Sequence, residues 1–426
     1  MVERRTPIPI EEAVKKVMCR AKRGEIEHVP IVKSNGRYVA VDIVADHDVP
    51  PFNRSPYDGF VIRAEDSLSA TESQPVEFEI IDSIGAGVVS EKTIGPNEAV
   101  RIMTGAQLPA GGDAVVMYEL TKEFVRDGKP YMSIKRPFQK WSNISFQGED
   151  TKKGEVLVKG GTYINPGVMA LLATFGYDKV PVVKKPTIGI LSTGTELLDV
   201  HEPLAPGKIR NSNAYMVYSQ VIRSGAIPKL YAHKSDDIEA CFEAVQSALL
   251  EVDMLITTGG VSVGDYDFLP EIYKRLGANV LFNKIGMRPG SVTTVAEHNG
   301  KWLFGLSGNP SACFVGYELF VRPLIKYTLY SNEPHATVIQ AYLTKDFPKP
   351  NPFTRFVRSR IDWEEGKVMV TPVGLDKSSM VSSLSEVNAL IVLPGGTRGY
   401  EKGMLVNVFL LDEQKGCEWP WGNIKK

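Results

Sequence analysis

Between residues 187 and 327 short apolar runs alternate with stretches of helical periodicity, and this alternation constrains the chain more than any other feature. Residues 187–191, 226–232, 253–257, 279–282, 292–296 and 302–306 read as strands, and 214–224, 236–249, 269–276 and 310–327 as helices. Strands alternating with helices predict an α/β domain with a doubly wound parallel sheet. Parallel neighbours need a crossover, which a helix supplies. In such a sheet the ligand sits outside the carboxyl ends of the strands.

The rest of the chain reads differently. Residues 8–21 form an amphipathic pattern with Ile10, Ala13, Val14 and Val17 on one face, and 165–176 form another helix. Pro50-Pro51 breaks the chain, and from 52 to 148 short β-like runs alternate with turns. After Tyr330 the pattern is again strands and turns, a second β module. Lys plus Arg number 49 and Asp plus Glu 50, so the net charge of −1 argues against a general nucleic-acid or membrane-surface binder. No apolar run is long enough to span a bilayer, and the start of the chain lacks a signal-peptide core. The four cysteines and six histidines are scattered without metal or disulfide spacing. A soluble cytoplasmic protein is expected.

Three of the strands end in turns rich in glycine and hydroxyls: Ser192-Thr193-Gly194-Thr195-Glu196, Thr257-Thr258-Gly259-Gly260-Val261-Ser262-Val263-Gly264 and Ser307-Gly308-Asn309-Pro310. Glycine admits close backbone approach, and amides at helix starts favour anions. One such turn is most often only a turn, but three at one sheet edge point to an anion-binding cleft. The spacing matches neither a dinucleotide fingerprint nor a phosphate-binding P-loop. Glu196, Asp236 and Asp267 neighbour these turns, and carboxylates beside phosphate suit Mg2+. Asp236 with Glu239 also reads as a helix capping box. Lys284 and Arg288 lie four apart in a Gly/Pro loop, a basic pair fitted to a small oxyanion. Asp58-Gly59 by itself is a hairpin-turn pair, and the same caution covers Gly148-Glu149-Asp150.

Taken in order, however, these motifs resemble one family. Pro50-Pro-Phe-x-x-Ser-x-x-Asp58-Gly-Phe60, Arg101-Ile-Met-Thr-Gly-Ala106, Gly112-Asp-Ala-Val-Val116 and Gly148-Glu-Asp150 are similar to segments of the molybdopterin molybdenumtransferase family. So are Leu191-Ser-Thr-Gly-Thr-Glu-Leu197, Thr258-Gly-Gly-Val-Ser-Val-Gly264, Met287-Arg-Pro-Gly290 and Ser307-Gly-Asn-Pro310. The resemblance spans essentially the whole chain.

It implies an elongated homodimer of α/β plus β architecture in four parts: a split helix/strand part (1–48 with 148–183), a β domain (49–147), an α/β molybdopterin-binding domain (184–328) and a C-terminal β-barrel-like domain (329–426). The implied reaction inserts molybdate-derived molybdenum into adenylylated molybdopterin with Mg2+-assisted cleavage of the adenylate. It releases AMP and molybdenum cofactor, downstream of a molybdopterin adenylyltransferase. By motif position Asp58, Asp150, Lys284 and Arg288 become the catalytic candidates, with Asp58 and Asp150 supplied by the partner subunit. The three turns and Ser291 become the pterin and phosphate site, and Glu196, Asp236 and Asp267 the metal site. The chain departs from the common pattern at Ser145, Thr195, Ser291 and Ser307, which alters the charge of the pocket and keeps it polar. A pterin-binding scaffold without turnover and a nucleotide-pyrophosphate hydrolase on the same α/β domain are the alternatives.

Overall fold

The computed structural model describes residues 6–233, 237–260, 268–411 and 416–423. The chain forms two compact units, one of Met1–Val41, Gly160–Ala170 and Asp178–Lys426, the other of Asp42–Lys159 and Leu171–Tyr177. Among the described residues no helix is long and apolar enough to cross a membrane.

The first unit contains the α/β sheet, with strand order Ile227–Leu230, Thr187–Ser192, Met254–Thr258, Lys301–Leu306, Thr294–His298 and Asn279–Phe282. The first four strands run parallel, and the last two join antiparallel. That edge corrects the wholly parallel sheet expected above. Asn299 and Gly300 have φ of 49° and 77° and close a two-residue hairpin between His298 and Lys301. Asn-Gly is the residue pair that such a turn demands, and two residues cannot make a parallel crossover.

Helix Ser212–Ser224 begins at Asn211, whose side chain accepts from the Ala214 amide, and ends at Gly225 with φ 93°. Helix Ile238–Glu251 is capped by Asp237, which accepts from the Ala240 amide at 2.7 Å. The expected capping box is thus displaced by one residue. Asp237 has the extended backbone that precedes the first helical turn, and Glu239 pairs with Arg275 at 2.6 Å. Asp236 itself lies outside the described residues.

The chain from Pro310 to Thr328 is two helical segments joined by a π turn over Tyr317–Val321, nearly all of it buried. At its centre Glu318 accepts from Gln220 at 2.6 Å, from Arg322 at 3.2 Å and from Arg223. A buried carboxylate needs such donors to offset its desolvation. Helix Ile10–Met18 buries Ile10, Ala13, Val14 and Val17, as its periodicity predicts.

The C-terminal module of this unit is a closed sheet. Strand Thr354–Glu364 pairs with both Lys367–Pro372 and Ala389–Leu393, and Val338–Leu343 and Leu405–Leu410 complete the ring. The short strand Met287–Arg288 lies parallel to its edge, with Arg288 beside Arg355. In the second unit six strands in the order Ala114–Met117, Gly59–Ile62, Glu98–Ile102, Val76–Ile84, Lys129–Ile134 and Thr121–Arg126 form one sheet with an apolar cluster on each face.

A short pairing of His335–Ala336 with Gly416–Cys417 fastens residues 416–423. His335 is buried edge-on against Trp419 at 5.9 Å, and burial pushes its pKa down to about 4. A base whose folded pKa lies below its unfolded value is stable above the unfolded pKa and loses stability as pH falls toward the folded one. Between pH 6.5 and 4 the first unit is therefore expected to lose on the order of 3 kcal/mol through this group. Denaturant melts over that range should show the loss in wild type and a flatter profile in His335→Phe; equal profiles would exclude His335 as its source.

Candidate functional site

The carboxyl ends of the parallel strands open into a cavity of about 950 Å³, a volume ordinary for a small-molecule site. Thr193, Gly194, Glu196, Gly259, Gly260, Arg288, Ser291, Ser307, Gly308, Asn309 and Pro310 all line it. The sequence-predicted turns therefore meet as expected. Gly259 and Gly260 are indispensable there: their φ of 95° and 64° disfavours side chains, and a Cβ on Gly259 would meet the Thr193 carbonyl at 2.5 Å.

Ser192 does not reach the cavity. It is buried, bonded to the Thr258 hydroxyl at 2.9 Å, and ties two strand ends together. Thr195 is absent from the wall, and its carbonyl accepts from Lys208. Lys284 is half-buried away from the wall, its carbonyl accepting from the Ile8 amide at 3.2 Å. Val261, Ser262, Gly264, Asp236 and Asp267 lie outside the described residues.

The expectation that turn amides bind anions needs revision. The Thr193 amide donates to Thr258, that of Gly259 to Leu306, and those of Ala312 and Cys313 to Asn309. The Ser311 amide donates to the Ser378 carbonyl at 3.0 Å. These amides are committed within the fold, and cationic side chains on the same wall add a further means of anion recognition.

The cations come mostly from the C-terminal module, which sequence reasoning did not connect to the site. Arg355, Arg358 and Lys377 line the cavity with Arg288. Arg355 is buried and bonded to Asp376 at 2.6 Å and to Asn351 at 2.8 Å. Arg358, also buried, donates to the carbonyls of Leu375, Lys377 and Met380 and to the Ser383 hydroxyl. Desolvation lowers its pKa, opposed by Asp376. It thereby fixes the loop that presents Lys377 and Ser378. Arg288 and Lys377 are exposed and have no carboxylate partner among the described residues. Register places Arg288 beside Arg355, and both line the cavity, where guanidinium groups suit an anion. The sequence signal was present as two arginines alternating with apolar residues in Phe353-Thr-Arg-Phe-Val-Arg358. Asn211 and Asn213 were also missed; their signal is the Asn-Ser-Asn that starts a helix.

Among the described residues no group of three His, Cys, Asp or Glu side chains is placed to hold a metal. Glu196 is the one predicted metal ligand described on the wall. A single carboxylate still fits Mg2+, which completes its shell with water and phosphate oxygens.

The remaining candidates lie in the second unit. Asp58 accepts from the amide and hydroxyl of Thr104 at 2.7 and 2.8 Å, which holds its carboxyl below the usual range. Arg54, Ser55, Tyr57, Thr104, Ser145 and Glu149 line a second, more open cavity of about 620 Å³. Glu149, rather than Asp150, faces it; the Ser145 hydroxyl and the Phe146 amide bond its carboxylate and lower its pKa. Asp150 is exposed, its amide donating to the Val49 carbonyl at 3.0 Å.

Comparison with known proteins agrees with this architecture. Residues 8–176 match the family described as "MoeA N-terminal region (domain I and II)", 189–327 the "Probable molybdopterin binding domain" and 340–411 the "MoeA C-terminal region (domain IV)". The chain is 61% identical to the molybdopterin molybdenumtransferase of Bacillus subtilis (strain 168), covering 100% of this chain and 99% of that one. It is 49% identical to the enzyme of the same name from Staphylococcus epidermidis, over 96% and 97% of the two chains. The crystal structure of a molybdopterin biosynthesis MoeA protein from Pyrococcus horikoshii superposes with a TM-score of 0.79 at 31% identity, covering 95% of this chain and 100% of that one.

Because Arg358 meets four acceptors in this loop, more than any other side chain does, Arg358→Met should loosen residues 375–383. Losing charge-assisted hydrogen bonds worth about 1.5–3 kcal/mol should speed tryptic cleavage after Lys377 roughly tenfold or more. An unchanged cleavage rate would mean that other contacts hold the loop.

Proposed function

The chain belongs to the molybdopterin molybdenumtransferase family, and from that premise we propose that it inserts molybdate-derived molybdenum into adenylylated molybdopterin. The adenylate is cleaved and AMP and molybdenum cofactor are released. The observation that carries this reading is the cationic wall: Arg288 beside Arg355, with Lys377 in no ion pair among the described residues, along the edge where the strand-end turns converge.

The substrates are anionic throughout. A phosphoanhydride and a tetrahedral oxyanion both suit guanidinium groups, which bind oxygens in pairs. Arg288 and Lys377 hold and orient the anions, while Arg355, fixed by Asn351 and Asp376, keeps its guanidinium in place without a large reorganisation. Glu196 would hold Mg2+ together with substrate oxygens; when bound, the ion neutralises charge on the cleaved phosphate. Asp58, held as a carboxylate by Thr104, is ready to orient or accept a proton at neutral pH.

In this reading the protein is a cytoplasmic homodimer of four domains, and Asp58 and Asp150 reach the cavity from the partner subunit. The adenylylated substrate implies a nucleotidyl-transfer enzyme upstream, a molybdopterin adenylyltransferase.

Purified protein given adenylylated molybdopterin, Mg2+ and molybdate should release AMP only when molybdate is present. Asp58→Asn and Arg288→Ala should each lower that rate by about a hundredfold or more, as expected for loss of a general acid–base or a charge clamp. Mixing the two inactive variants separates the partner-subunit arrangement from its alternative. If Asp58 acts across the dimer, an equimolar exchanged mixture recovers about a quarter of wild-type activity. If it acts within its own chain, nothing is recovered.

A further inference from the structure

Two residues of the first unit's cavity wall each carry a buried side-chain atom with no hydrogen-bond partner among the described residues: Oγ1 of Thr193 and Oδ1 of Asn213. Asn213 is the more informative, since its side chain is 8% exposed and its orientation is fixed. Its Nδ2 donates to the Gly308 carbonyl at 2.8 Å. A flipped carboxamide would set oxygen against oxygen, so Oδ1 must be the atom left over. Capping does not account for it, because Asn211 already caps this helix by accepting from the Ala214 amide at 3.1 Å.

A buried acceptor without a donor costs about 1–3 kcal/mol, and such atoms in folded proteins call for an explanation. Ionised phosphate and molybdate cannot supply one, because they offer only acceptors. An uncharged part of the ligand can supply the donor that these anions lack. We propose that Asn213 is a specificity-determining residue whose Oδ1 accepts a hydrogen bond from a ring-bound N–H of the ligand's fused amino-heterocycle. This rests on the proposed function, in which the substrate carries two such rings, pterin and adenine. Thr193, with its hydroxyl buried on the same wall, adds a second polar contact to that ligand. The cationic side chains grip the anions, and Asn213 reads the ring.

The test is equilibrium binding by calorimetry, under anaerobic conditions, of AMP, molybdopterin and ribose 5-phosphate to wild type and Asn213→Leu. Leucine keeps the shape and removes the acceptor. Binding of either AMP or molybdopterin should weaken by about 10–100-fold, the cost of one unsatisfied buried group. The other ring compound and ribose 5-phosphate should stay within about twofold. Which ring loses affinity identifies the one Asn213 contacts.

A second comparison needs no variant, should Asn213→Leu fail to fold. Wild type should bind AMP at least about tenfold tighter than purine riboside monophosphate, or pterin tighter than its 2-deamino analogue by the same margin. Unaltered binding of both ring compounds by Asn213→Leu overturns the inference alone, as does a parallel fall for ribose 5-phosphate. Wild type that binds neither ring compound overturns the proposed function and this inference with it.

Discussion

Ser192 pairs with Thr258, and Thr258 with Leu306, so three parallel strands end level with one another. The rest of the cavity follows from that register. Strands held in parallel must each return by a crossover, so each leaves the sheet at the same edge. The hydroxyls of Ser192 and Thr258 bond to each other at 2.9 Å, satisfying both inside a buried edge. Residues just beyond, Thr193, Gly259 and Ser307, then have no choice but to line a common space.

The sheet edge supplies only part of the positive charge on the wall. Several of its turn amides are committed within the fold, and the barrel adds Arg355, Arg358 and Lys377 to the wall. The exchange is reciprocal. The loop fixed by Arg358 offers the Ser378 carbonyl to the Ser311 amide and the Met380 carbonyl to the Ser311 hydroxyl. One loop therefore satisfies the start of a buried helix and positions Lys377 at the cavity. Beneath it, Glu318 joins helix Ser212–Ser224 to the buried helical segment through Gln220 and Arg223. The wall that carries Asn213 thus rests on an ionic core centred on the buried Glu318.

Much of this was legible from residue pattern. Strand–helix alternation located the α/β sheet to within a few residues, and the glycine and hydroxyl turns located the edge at which its cavity opens. The antiparallel edge was readable in Asn299-Gly300 but lost to the prevailing parallel pattern. The Asp237 cap differs from the expected Asp236 because neighbouring acids compete for one cap and only backbone geometry chooses between them. Arg355 and Arg358 escaped because local pattern cannot say which strand of a distant module will face a sheet edge. Lys284 and Thr195 were placed at the site by motif, and they are absent from its wall; their carbonyls instead accept from Ile8 and Lys208.

The central claim is that the strand-end cavity of the first unit, with its barrel-derived cations, is where the anionic substrates bind. Anomalous scattering at the molybdenum edge from crystals soaked with molybdate and AMP tests it most directly. A peak within hydrogen-bonding reach of Arg288 or Lys377 is the predicted result. A peak confined to the second unit's cavity, around Arg54 and Glu149, would contradict the account.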